Sequence, residues 1–194
     1  MVRSDTERNR KRLIKSAGHL VARKGAAVKM TDVAERAEVS TATAYRHFSS
    51  VDEILAEFRY SVGLSLLQFS LKQETHGVEL LATVSREWVR LVVKHGTAMV
   101  HTRSQEGYLA RLRSGVRYLT VQAEALERPI AEAAAEMGLP DPGDEGLFLW
   151  NILFDPREIF DLLATLGLTE DDVARRLTAA LCAAIGGWTN ERID

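Results

Sequence analysis

Residues 31–55 read TDVAERAEVSTATAYRHFSSVDEIL, and in this stretch two short helical patterns precede the start of a long one. Thr31 stands as an N-cap, which predicts a helix over residues 32–37. Ser40 is a second N-cap and predicts a helix of about two turns over TATAYRHF. With the short link between them, residues 31–48 have the length and the turn of a helix-turn-helix.

A helix-turn-helix places the N-terminal residues of its second helix in the DNA major groove. The small residues that open this helix would let its backbone approach a duplex, and their hydroxyl and amide groups could reach phosphates or base edges. Tyr45 and His47, farther along, could donate to phosphate. Arg46 is left open between a base contact, a phosphate contact and a surface ion pair. The residues predicted to contact DNA are Thr31, Ser40, Thr41, Ala42, Thr43, Tyr45, Arg46 and His47.

The same stretch resembles the N-terminal signature of the TetR family of transcriptional regulators, over roughly residues 8–55. The resemblance implies DNA contacts at Thr31, Ser40, Thr41, Tyr45 and His47. It implies packing positions at Ala34, Ala37, Val39 and Phe48. Two residues depart from the family pattern: Glu38 replaces the usual glycine of the turn, and Val51 replaces a lysine that follows the aromatic residue. A residue other than glycine in a left-handed turn costs about 1 kcal/mol.

The charge of the chain is divided near residue 50. Residues 1–50 carry 11 Lys and Arg against 5 Asp and Glu, whereas residues 51–194 carry 14 against 22, so a cationic end precedes an acidic body. A cationic end of this kind favours a polyanionic partner. We therefore expect a DNA-binding domain at 1–50, with the helix-turn-helix at about 31–48, and a second domain at 51–194.

The rest of the chain predicts only helices, so the fold class is all-α, with a three-helix N-terminal module. Ser50 and Glu53 form a capping-box pattern at the start of a long fourth helix, and breaks are expected at His76-Gly77 and at Gly96. The resemblance implies that this C-terminal part binds an effector and dimerises. For the dimer we expect a four-helix bundle. It would use the last helix, through Val173, Leu177, Leu181, Ile185 and Trp188, and the helix that holds Ile159, Phe160, Leu163 and Leu166.

Several aromatic and polar residues of the body recur on shared helical faces, as the lining of a largely apolar ligand pocket would. The candidates are Trp88, His95, Met99, Tyr118, Gln122, Trp150, Asn151 and Phe154, with His101 close by. Each of them taken alone is equally compatible with a core position. The expected partners are therefore double-stranded operator DNA, a second copy of the chain and a small-molecule effector.

Other classes of function find little support in the sequence. His95 and His101 are six residues apart, off the i, i+4 face that suits a metal pair, and no nucleophile motif or phosphate-binding loop occurs, so we expect no catalytic residues, metal or cofactor. One cysteine and no membrane-length apolar segment predict a cytoplasmic protein. The leading hypothesis is a repressor released from its operator by an effector, and the alternative is a DNA-binding dimer with no functional pocket.

Overall fold

The computed structural model describes residues 2–100 and 105–190, and in these residues the secondary structure is helical throughout. Ten α-helices follow one another within these two described ranges. They are α1 Val2–Lys24, α2 Met30–Arg36, α3 Thr41–His47, α4 Val51–Ser70, α5 Gly77–Met99, α6 Tyr108–Arg113, α7 Arg117–Glu136, α8 Gly143–Leu153, α9 Pro156–Ala164 and α10 Glu170–Asn190, with a short 3-10 turn at Gly25–Ala27. The all-α prediction is confirmed.

The buried apolar residues form two separate clusters. The first lies between Leu13 and Leu55 and is built by α1, α2, α3 and the first turn of α4. The second lies between Val62 and Ile185 and is built by the rest of α4 together with α5, α7, α8, α9 and α10. Helix α4 is therefore the element that enters both clusters, and its second half packs mainly against α7.

Local sequence signals explain most of the helix boundaries. Ser40 Oγ accepts a hydrogen bond from the backbone amide of Thr43 at 3.1 Å, which confirms the predicted cap of α3. Ser50 caps α4 in the same way through the amide of Glu53. The Glu53 carboxylate, however, reaches the backbone amide and hydroxyl of Ser49 rather than the amide of Ser50, so the capping box is shifted by one residue.

Two predicted helix limits are wrong. Helix α2 begins at Met30 rather than after Thr31, because the Met30 side chain is buried and the Asp32 carboxylate accepts a hydrogen bond from the amide of Lys29 at 3.0 Å. Helix α5 continues through Gly96 instead of ending there. A Cβ atom at Gly96 would lie 3.0 Å from the ring of Phe160, so this glycine permits α9 to pack closely and does not terminate the helix.

Part of the apolar face of α10 that we predicted to meet a partner chain is covered within the chain itself, whereas Trp188 on the same helix is 48% exposed. Val173, Leu181 and Ile185 are fully buried, and so is Ile159 of α9. Helix α10 packs against α5 and α8, which supply the second side of this core. An amphipathic pattern identifies the buried face of a helix but not the molecule that buries it, so the prediction is wrong for these four buried residues, and the dimer stays a prediction.

None of the helices in residues 2–100 and 105–190 combines the length and the apolar character that crossing a membrane requires.

Candidate functional site

Helix α3 is held by its apolar side and presents its other side to solvent. Ala44 is completely buried, and Phe48, which follows the helix, is 2% exposed beneath the Arg10 guanidinium, 5.0 Å from the ring centroid. Tyr45 is 55% exposed, so it is a surface aromatic and not part of the core. A large aromatic side chain left outside a well-packed core suits a binding surface.

The surface of α3 carries a small hydrogen-bond network. Thr43 Oγ1 accepts hydrogen bonds from Ser40 Oγ at 2.9 Å and from Arg46 Nη2 at 2.9 Å. These bonds hold the Arg46 guanidinium beside the start of the helix. Ala42 and Tyr45 are exposed, and Thr41 and His47 are half-buried. Of the predicted DNA contacts outside α3, Thr31 is an exposed residue of the first turn of α2, and Ser40 is the exposed cap.

The turn between α2 and α3 takes a left-handed conformation at Glu38, as the resemblance predicted for the position usually held by glycine. Its φ is 54°, and within the described residues it is the only residue other than glycine with a positive φ. The Glu38 carboxylate pairs with Arg12 of α1. The ion pair ties the turn to α1, but Glu38 is largely exposed and the pair contributes little to stability.

A cavity of about 400 Å³ opens in the second cluster, which is the size of a typical small-molecule site. Residues from α4 to α9 line it. Seven of the eight residues predicted for a ligand pocket are among them: Trp88, Met99, Tyr118, Gln122, Trp150, Asn151 and Phe154. They belong to α5, α7 and α8 or, for Phe154, to the end of α8, and the packing of these three helices brings them around one cavity.

His95 does not line this cavity. It lies with Phe58 on a second cavity between α1, α4 and α5, and the two rings meet edge to face with centroids 5.7 Å apart. Although His95 is two helical turns from Trp88, α5 is covered by α1 and α4 at this level, so the structure does not bring this residue together with the other seven. Burial, and to a lesser degree the neighbouring Lys94, lowers the pKa of the imidazole. His101 is outside the described residues.

The aromatic part of the cavity wall is a continuous stack. Trp150 packs against Phe154 with nearly parallel rings at 5.1 Å, and Trp88 tilts against Trp150 at 5.2 Å. The Trp88 indole donates a hydrogen bond to the carbonyl of Phe154 at 2.9 Å. The indole Nε1 of Trp150, which is 1% exposed, has no acceptor among the described residues.

The cavity wall also contains cationic side chains, which we did not predict. Arg59, Arg111 and Arg157 all line the cavity. Arg59 Nη2 donates to the carbonyl of Met99 at the end of α5, at 2.7 Å, and Nη1 lies 3.4 Å from the Tyr118 hydroxyl. Arg111 donates to the same hydroxyl. Burial lowers the pKa of the Arg59 guanidinium, although Tyr118 partly offsets this effect.

The sequence pattern could have identified one of these arginines as a buried residue. Arg59 falls at helical spacing inside the apolar stripe formed by Leu55, Val62 and Leu66 of α4. A charged residue within such a stripe is a candidate for a buried functional group. Arg111 belongs to a six-residue helix of mixed character, and no pattern distinguishes it from a surface arginine.

Glu57 of α4 connects the N-terminal module with the body. Its carboxylate pairs with Arg10 of α1 at 2.7 Å and with Arg117 of α7 at 2.7 Å. Two residues later, Arg59 lines the cavity. The helix that packs in the first cluster is therefore also a wall of the cavity and the centre of an ion-pair bridge.

Comparison with known proteins identifies the N-terminal module. Residues 13–58 match the family model described as bacterial regulatory proteins, tetR family. No curated protein matches the sequence.

Solved structures resemble nearly the whole chain at low sequence identity. The fatty acid degradation regulator FadR from Bacillus halodurans superposes with a TM-score of 0.68 at 14% identity, over 89% of this chain and 94% of that one. A regulator of the TetR/AcrR family from Thermobifida fusca gives a TM-score of 0.56 at 21% identity, over 89% and 96%. A TetR-family regulator from Haemophilus influenzae gives 0.54 at 18% identity, over 93% and 98%.

These likenesses establish the fold, and the match over residues 13–58 covers the helix-turn-helix. The N-terminal module matches the bacterial regulatory proteins of the tetR family, and the whole chain has the fold of solved TetR-family transcriptional regulators.

Proposed function

We propose that this protein is a homodimeric repressor that is released from its operator when a small molecule occupies the cavity beside α4. The observation that carries the proposal is the position of α4. Its start packs in the same cluster as α2 and α3, and its third and fourth turns line the cavity through Arg59 and Gly63. A ligand that moves α4 would therefore move the helices that read DNA.

We assign separate functions to the parts of the chain that form the two apolar clusters. Residues 1–50 bind DNA, residues 51–194 bind the effector and dimerise, and α4 serves both parts. Two modules related by a two-fold axis would read half-sites about 34–36 Å apart, or a multiple of that distance. A ligand that changes the separation of the two α3 helices would then abolish binding. A DNA-binding regulator of a bacterial family acts where the chromosome is, in the cytoplasm.

The proposed DNA contacts are Thr31, Ser40, Thr41, Ala42, Thr43, Tyr45, Arg46 and His47. Their support is the exposure of Tyr45 and Arg46 on α3 and the excess positive charge of residues 1–50. Phosphate contacts release counterions, so the affinity should fall by about 10³-fold between 50 and 200 mM salt if six or more phosphates are contacted.

DNA binding is tested by selecting bound duplexes from a random pool and titrating the best one in a gel-shift assay. Tyr45→Ala and His47→Ala should weaken binding without changing the helical content, because neither side chain is part of the core. Tyr45→Phe is the matched control, since it removes the hydroxyl alone. Unchanged affinity in both alanine variants would contradict the assignment of α3 as the reading helix.

Effector control is tested by measuring the affinity of a ligand, found by thermal shift, with and without the operator duplex. Linkage requires that a ligand which weakens DNA binding is itself bound more weakly by the DNA complex, by the same factor. Equal ligand affinities would show that the sites are uncoupled. The protein would then be an effector-independent DNA-binding dimer.

A further inference from the structure

The charges around the cavity are not balanced. Arg157 forms two hydrogen bonds with the Asp155 carboxylate, at 2.9 and 2.5 Å, so its charge is neutralised. Arg59 and Arg111 have no carboxylate within ion-pair distance among the described residues. Both approach the hydroxyl and the ring of Tyr118, with guanidinium carbons 5.2 and 5.6 Å from the ring centroid. A phenol is a neutral acceptor and leaves both positive charges uncompensated.

Unpaired hydrogen-bond donors accompany these charges. Arg59 Nε is buried and has no acceptor among the residues that the structure describes, and the same holds for Trp150 Nε1. Buried polar groups are ordinarily hydrogen-bonded, and buried charges are ordinarily paired. Two unpaired donors and two unpaired charges around one cavity are what a site for an acceptor-rich anion requires.

We propose that the effector is an organic carboxylic acid, whose carboxylate binds between Arg59 and Arg111 and whose apolar body packs on Trp88, Trp150 and Phe154. The inference rests on the proposed function, because it assigns a chemical class to the ligand of the same cavity. Guanidinium groups bind carboxylates through short, charge-assisted and often bidentate hydrogen bonds. The aromatic stack supplies a flat surface for an apolar or aromatic body.

The position of Arg59 explains how the binding of a carboxylate could affect α4 and hence DNA binding. Its Nη2 holds the carbonyl of Met99 at the end of α5, and its backbone belongs to α4. A carboxylate that draws the guanidinium toward itself would compete with this hydrogen bond and would act directly on α4. A neutral ligand of the same shape has no comparable effect on Arg59.

Matched acids and amides test the proposal. Calorimetric titration of the full chain, in the absence of DNA, compares 2-naphthoate, 4-phenylbutyrate and octanoate with their primary amides. At least one acid should bind about tenfold more tightly than its amide, because a hydrogen bond to a charged group is substantially stronger than one to a neutral group. If no acid of the set binds more tightly than its amide, the proposal is overturned.

Two variants assign the selectivity to named residues. Arg111→Gln and Arg59→Gln should each reduce the ratio of acid to amide affinity by about tenfold. This ratio is unaffected by partial loss of folded protein. Arg113→Gln is the matched control on the same helix, because Arg113 pairs with Asp144 and does not line the cavity. A ratio that is unchanged in both variants would overturn the assignment.

Selective binding of acids and release of the operator are separate results, so either proposal can fail while the other holds. Acids that bind selectively but leave the operator affinity unchanged would support the anionic site and contradict effector control. Amides that bind as tightly as the acids and release the operator would support effector control and contradict the anionic site.

Discussion

At the scale of single residues, Glu38 occupies the least favourable backbone conformation of the N-terminal module. A left-handed φ costs a side-chain-bearing residue about 1 kcal/mol, and the ion pair with Arg12 offsets little of this cost because Glu38 is largely exposed. Glu38→Gly should therefore raise the free energy of unfolding by about 0.5–1 kcal/mol, measured by urea denaturation. Glu38→Gln keeps the side chain and removes the charge, so a gain of the same size in that variant would locate the effect in the ion pair.

His95 gives the molecule a pH dependence whose sign is fixed by its surroundings. The imidazole packs against Phe58, and burial together with Lys94, Arg90 and His19 lowers its pKa below the ordinary value of 6.5. The imidazole of the unfolded chain therefore binds a proton at a higher pH than that of the folded chain. The free energy of unfolding is unaffected by the protonation of His95 above about pH 6.5 and decreases as the pH falls below that value. His95→Gln should flatten the decrease in stability between pH 7.5 and 5.5, measured by urea denaturation. An identical pH profile in the variant would contradict this explanation.

At the scale of helices, α4 packs closely against α7 at Gly63. A Cβ atom there would lie 2.7 Å from Val121 Cγ1 and 3.5 Å from the carbonyl oxygen of Tyr118. Gly63→Ala should lower the free energy of unfolding by about 1–3 kcal/mol, as overpacking in a core does. Because the clash is mainly with one methyl group, the double variant Gly63→Ala, Val121→Ala should recover part of that loss relative to the sum of the single variants, in a double-mutant cycle. Strict additivity would show that the two side chains do not meet.

Helices α3, α4 and α5 show which features a sequence pattern can predict. Capping residues and apolar spacing predicted α3 and α4 correctly, because these signals act within one helix. The pattern failed at Gly96, where the reason for a glycine lies in Phe160 of another helix, and at His95, whose face of α5 is covered by α1 and α4. The partners of these residues are distant in the sequence, so only the packed fold could reveal them.

At the scale of the whole molecule, we expect assembly through the outer surface of α8 and α10. Trp188 is 48% exposed and packs on Phe148, Ile152 is 50% exposed, and the small residues Ala183 and Gly187 beside them would permit close helix approach. Exposed apolar side chains next to small residues favour a second copy of the chain.

Trp188→Glu tests this surface. The variant should have the mass of one chain by light scattering at micromolar concentration, whereas the wild type should have the mass of two. Its operator affinity should also fall, because the two half-sites would no longer be bound by linked modules. Leu71→Glu is the matched control, since Leu71 is 68% exposed at the end of α4 and belongs to neither α8 nor α10. A wild-type chain that is itself monomeric would contradict the proposed assembly.

The sequence by itself determined the helical fold class, the helix-turn-helix of residues 31–48, the family that this motif resembles and seven of the residues that line the cavity. These properties rest on capping, helical spacing and a local motif, all of which act over a few residues. Only the tertiary structure decided which face of α10 is covered within the chain, that His95 is separated from Trp88, and that Arg59 and Arg111 share one phenol. These properties depend on contacts between helices far apart in the chain, and burial and charge balance are set by the packed assembly of those helices rather than by any one of them.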